Sequence, residues 1–157
     1  LLLTKECIQQ AKIILNQCQV QNDFIVLCPG AIGHGIGKKS KIWPYWRTLA
    51  NTLAKDGQQL IACPAPYELQ RFKHIFSDTV TIIPNLNISL YAALMKQARQ
   101  VIANDSGPMH LAASVQAPVL GIFGQTSPER CRPWGGTYIG ALNAWPSCAD
   151  VLKTLGF

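Results

Sequence analysis

Short unbroken apolar runs alternate along the chain with longer stretches in which apolar residues recur every three or four positions. Residues 5–18 are of the second kind, with Cys7, Ile8, Ala11, Ile14, Leu15 and Cys18 on one face of a predicted helix. Residues 24–28 (Phe-Ile-Val-Leu-Cys) run apolar until Pro29-Gly30 stops them, which predicts a buried strand. A glycine-rich stretch follows, from Gly30 to about Lys41. Pro44 then suits the first turn of a helix reaching Lys55, with Gly57 as its stop. Residues 59–63 predict a strand, 66–76 a helix, and 79–83 a strand rich in β-branched side chains. Residues 88–99 read as a helix with Leu90, Leu94 and Ala98 on one side. Residues 101–103 form a further strand that runs straight into Asn104-Asp105-Ser106-Gly107. A helix over 109–115 and a strand over 118–123 come next; beyond Gly124 the chain is rich in turns, and a strand at 137–139 and a helix at 150–155 close it.

Strands alternating with helices of this length make βαβ units, and so a mostly parallel sheet covered on both faces. The expected fold class is α/β, a Rossmann-like doubly wound sheet, with residues 1–157 forming one domain. Ligands of such sheets bind at the carboxyl ends of the strands. The segments that follow strands therefore carry the chemistry: 29–43, 64–68, 84–87, 104–110 and 124–136.

Composition narrows the class. Of 157 residues 48% are hydrophobic and 14% charged, against about 25% charged in an average soluble domain. A surface so poor in charge suits either a compact apolar α/β domain or one with a face covered by something else. The net charge of +6 favours anionic partners such as nucleotides, phosphorylated glycolipids or an acidic membrane face. The basic residues are scattered apart from Lys38, Lys39 and Lys41, and no aromatic-interleaved basic stripe is present, so nucleic acid is not an expected partner. None of the six cysteines forms a C-x-x-C pair, and reduced thiols are expected rather than a disulfide frame or a zinc site. The chain opens Leu1-Leu2-Leu3 with neither a signal-peptide pattern nor a membrane-length apolar run, and reads as a soluble fragment.

Three readings compete for the glycine-rich stretch. Its spacing, G-x-G-x-G, departs from the G-x-G-x-x-G of dinucleotide sites, which disfavours an oxidoreductase. A P-loop fits poorly, because Gly33 and Gly37 are one residue too close and Lys39 stands where Ser or Thr belongs. The third reading is a loop whose backbone N–H groups approach an anion, with Lys41 delivered at its end.

Residues 104–110, Asn-Asp-Ser-Gly-Pro-Met-His, are the sharpest segment. They put a carboxylate at the tip of a strand, and a hydroxyl and a glycine at the mouth of a helix. Asp105 or Ser106 can cap that helix, and its free N–H groups make a ready anion site, with His110 about one turn on. Glu68 opens a helix after the second strand. There it can favour the helix dipole or accept two ribose hydroxyls.

Together these motifs resemble glycosyltransferase family 9, the ADP-heptose:lipopolysaccharide heptosyltransferases and their relatives. Pro29-Gly30-Ala31, Lys41-Ile42-Trp43-Pro44, Glu68, Asn104 to Ala113 and Phe123-Gly124-Gln125-Thr126-Ser127-Pro128 occur in the family's order, spanning residues 24–136. The resemblance implies one half of a two-domain GT-B type enzyme, the carboxyl-terminal donor-binding domain, with the amino-terminal acceptor domain and its catalytic base absent. It implies Lys41 on the donor's phosphates or sugar, where it stabilises charge, and Glu68 on the ribose. Asp105 meets the sugar hydroxyls; Ser106, Gly107 and the backbone of Pro108, Met109, His110 and Leu111 cradle the diphosphate, with His110 beside it. The implied chemistry is inverting transfer of a heptose or similar sugar from an ADP-sugar to the lipopolysaccharide core. Neither metal nor cofactor is expected. The expected setting is the cytoplasm at the inner face of the inner membrane, a place that allows peripheral membrane contact. The alternative is a non-catalytic nucleotide- or phosphate-binding α/β module.

Overall fold

The computed structural model describes residues 1–21, 23–31 and 39–157. Among these residues six parallel strands form one sheet in the order β3-β2-β1-β4-β5-β6. They are β1 (Phe24–Cys28), β2 (Gln59–Ala62), β3 (Thr81–Ile82), β4 (Gln100–Asn104), β5 (Val119–Ile122) and β6 (Thr137–Ile139). The strand order reverses between β1 and β4, and a crevice opens at that switch point beyond the strands' carboxyl ends. The Rossmann-like, doubly wound expectation therefore holds.

Among the described residues seven α-helices flank the sheet: α1 (Lys5–Gln17), α2 (Trp46–Lys55), α3 (Leu69–Phe76), α4 (Ile88–Gln97), α5 (Gly107–Ser114), α6 (Pro128–Cys131) and α7 (Cys148–Leu155). The period-two alternation of the strands sorts them into two layers. Val26, Cys28, Ile61, Val101 and Ala103 pack with Ala11 and Leu15 of α1, Ala92 to Met95 of α4, and Met109 and Ala112 of α5. Ile25, Leu27, Leu60, Ala62, Ile102 and Leu120 pack on the other face with Trp46, Leu49 and Leu53 of α2 and Phe72 and Phe76 of α3.

Local chemistry explains where the boundaries differ from the expected ones. The helix expected from Pro44 begins at Trp46, because Pro44 and Tyr45 form a turn first. The Thr79 amide donates to Phe76 O at 3.1 Å, which keeps that residue in the turn leaving α3 and shortens the third strand to two residues at the sheet edge. The helix expected at 109 starts at Gly107, since Pro108 is at home in a first turn. The last helix starts at Cys148, where Ser147 and Asp150 cap it reciprocally. The four-residue α6 has no counterpart in the expected elements. Glycines 33, 35 and 37, and with them the three readings of the glycine-rich stretch, lie outside the described residues apart from its ends.

All six cysteines are free thiols, Cys28 and Cys63 being buried. No helix among the described residues is long and apolar enough to cross a membrane.

Candidate functional site

The site gathers around the carboxyl ends of β1, β2, β4 and β5. Asn104, the last residue of β4, carries the alternation of Ile102 onto the α2 face and is fully buried. A buried carboxamide must find partners, and it finds them on three other segments. Its Oδ1 accepts from the Trp43 amide at 3.1 Å and from Trp46 Nε1 at 3.3 Å. Its Nδ2 donates to the Pro29 carbonyl at the end of β1. The Trp43 indole donates in turn to Pro146 O at 2.9 Å. This network pins the segment that carries Lys41 to the tips of β1 and β4.

Lys41 is thereby placed over Asp105. Its Nζ lies 2.7 Å from Asp105 Oδ2, and the side chains are 17% and 7% exposed. A second donor reaches the same oxygen, Thr126 Oγ1 at 2.7 Å. The Asp105 amide is also tied to Ile122 O at 3.2 Å, so the residue is fixed between β4 and β5. Next to Thr126, the buried Gln125 side chain leaves Oε1 without a partner among the described residues. Trp145 holds the approach to this loop, since a Cβ added at Gly124 would fall 2.0 Å from its ring.

Ser106 stands at the N-cap of α5, but neither it nor Asp105 caps the helix. The Ser106 hydroxyl donates back to Asn104 O at 3.2 Å, and no side chain closes the first turn. First-turn N–H groups left this way, with the positive end of the helix dipole behind them, attract anions.

Glu68 reaches the same crevice from the far side. Its Oε2 accepts from the Ala65 amide at 3.1 Å, and its Oε1 lies over Gly30. It lines a cavity of about 270 Å³ together with Ser106, Gly107 and Pro108. The deeper lining is apolar or weakly polar and includes Cys28, Cys63, Pro64, Phe72, Leu86 and Tyr91. Cys28 Sγ and Tyr91 Oη are 3.1 Å apart. Burial pushes the Cys28 thiol up to about 12 in spite of that hydrogen bond, and it pushes Cys63 and Tyr91 up as well. At neutral pH all three are uncharged, so this lining suits a neutral ring better than a charged group.

The residues expected at a site divide into four groups. Lys41 and Asp105 touch each other, while Glu68 shares a cavity with Ser106, Gly107 and Pro108. The side chains of Met109 and Leu111 turn inward, Met109 under Gly121 of β5 and Leu111 against the core, which leaves only their backbone near the helix mouth. His110 is exposed. Sequence reasoning gave no role to Thr126, Asn104, Tyr91 or the two buried thiols. A place in the segment that follows the fifth strand was the available signal for Thr126, and a polar residue closing an apolar strand was the signal for Asn104.

Comparison with known proteins agrees with this architecture. The model of Glycosyltransferase family 9 (heptosyltransferase) matches residues 4–154. Lipopolysaccharide heptosyltransferase 1 of Pseudomonas aeruginosa is 30% identical over 125 residues, which cover 76% of this chain and 35% of that protein. The structure of the E. coli ADP-heptose lipopolysaccharide heptosyltransferase II superposes with a TM-score of 0.78 at 20% identity, over 99% of this chain and 52% of that one. E. coli heptosyltransferase WaaC with ADP gives 0.74 at 22% identity, over 93% and 48%. The chain thus spans about a third of that curated relative and about half of those solved chains. With a family match running almost end to end, this chain belongs to glycosyltransferase family 9.

Proposed function

We propose that this chain is the donor-binding half of an inverting glycosyltransferase that moves a heptose, or a similar sugar, from an ADP-sugar to the lipopolysaccharide core. One observation carries the reading: Glu68 and the uncapped start of α5 line one cavity at the strand-order switch point, and the Lys41–Asp105 pair stands one residue before that helix mouth. In this reading the base occupies the neutral lining of Cys28, Cys63 and Leu86, and Glu68 accepts the ribose hydroxyls at its rim. The diphosphate lies against Ser106, Gly107 and the backbone up to Leu111. Asp105 meets the sugar.

Departure of a nucleoside diphosphate develops negative charge on the leaving oxygens. Preorganised N–H groups and an ammonium stabilise that charge without reorganising. Lys41 and α5 supply both, which is why no metal or cofactor enters the proposal. The base that activates the acceptor hydroxyl belongs to an amino-terminal half, this chain being the carboxyl-terminal one. The proposed setting is the cytoplasmic face of the inner membrane, where a lipid-linked acceptor is presented. Partial coverage of the relatives supports the division into halves.

Complementation tests it. The chain is combined with an amino-terminal half from a family relative, and ADP release from ADP-heptose is followed with a lipopolysaccharide-core acceptor. Transfer is expected only when both halves are present. Donor binding with no transfer in any pairing would favour a non-catalytic nucleotide-binding module instead.

A further inference from the structure

We propose that Thr126 is a positioning residue for Asp105, holding that carboxylate in its working orientation once Lys41 turns to the donor. The inference rests on the donor-site reading given above. Among the described residues two side chains contact the carboxylate, and both fall on Oδ2: Lys41 Nζ and Thr126 Oγ1, each at 2.7 Å. No hydrogen bond to Oδ1 is made among the described residues, so Oδ1 is the oxygen offered to a ligand hydroxyl.

The two contacts on Oδ2 differ in kind. Lys41 sits on a long, flexible stem, and an arriving diphosphate competes for its ammonium. Thr126 follows β5 within a segment packed under Trp145, and its short, uncharged side chain offers an arriving diphosphate no cation to draw away. When Lys41 shifts toward phosphate, a buried carboxylate that lost its other donor would be both uncompensated and free to rotate. Thr126 prevents this. It keeps Oδ2 occupied and Oδ1 aimed outward, so the sugar meets a preset acceptor.

Titration calorimetry with ADP-heptose and with ADP, on the wild-type chain and on T126V, T126S, D105A and D105A/T126V, reads this directly. T126A serves in place of T126V if thermal melting shows the valine variant unfolded. T126V is expected to weaken ADP-heptose binding about tenfold, the size of one charge-assisted hydrogen bond. T126S restores it to within about twofold of wild type, and adding T126V to D105A costs less than about twofold. Plain ADP, which lacks the sugar, loses less than ADP-heptose. Equal binding by T126V and wild type, failure of T126S to restore binding, or a full-size loss on the D105A background would each overturn the inference. If D105A weakens binding and T126V does not, the donor-site reading survives without this refinement. If D105A itself changes nothing, both fall.

Discussion

Glu68 occupies the space that any side chain at residue 30 would need: a Cβ built on Gly30 comes within 2.1 Å of Glu68 Oε1. The loop after β1 and the turn after β2 are therefore fitted to each other through a missing side chain. Because the clashing atom is the end of a flexible carboxylate, Gly30→Ala should displace Glu68 rather than unfold the chain. We expect G30A to weaken ADP binding about fivefold to tenfold, with a melting temperature within about 4 °C of wild type. Parallel calorimetry and thermal melting check this; a stability loss with intact affinity would mean that Glu68 takes no part in binding.

Asn104 predicts the opposite balance. It bonds to Trp43, Trp46 and Pro29 from a fully buried position, so truncation strands several buried polar groups at once. Asn104→Ala should cost roughly 2–4 kcal/mol of stability, measured by urea denaturation, and it should weaken donor binding as well by loosening the segment that carries Lys41. A cost below about 0.5 kcal/mol would show that the network is idle.

The buried thiol gives a pH dependence. Cys28 has its proton-binding strength raised by burial from the ordinary 9.0 to about 12. Between those values the folded state holds a proton that the unfolded chain has released, so stability is intact below about pH 9 and falls as pH climbs toward 12. Tyr91, raised by the same burial, pushes in the same direction. Urea midpoints across this alkaline window should decline, and C28A, with the thiol gone, should decline less steeply. Identical slopes for the two proteins would contradict the assignment.

Much of this fold was legible because strands buried on both faces need uninterrupted apolar runs, as in β1, β4 and β5. Strand β6 was found at its observed residues, 137–139. Edges were less legible: β3 shrinks because Thr79 is held by Phe76, a contact that no periodicity announces. At the site, Lys41, Glu68 and Asp105 stood out as charged residues after strands. Their grouping was not in the local pattern, since Lys41 meets Asp105 only after β1 and β4 pair. Asn104 and Thr126 belonged to readable motifs. What they hold depends on partners from other strands, which spacing along one chain does not encode.

Lys41, Glu68 and Asp105 are proposed to act together on one nucleotide-sugar. Calorimetric titration of the chain with ADP-heptose tests it most directly, comparing wild type with K41A, E68A and D105A, each shown to be folded. Wild type is expected to bind within the range usual for substrates, about 1 μM to 1 mM, and each variant to lose about tenfold or more. Superimposable isotherms for all four proteins would contradict it.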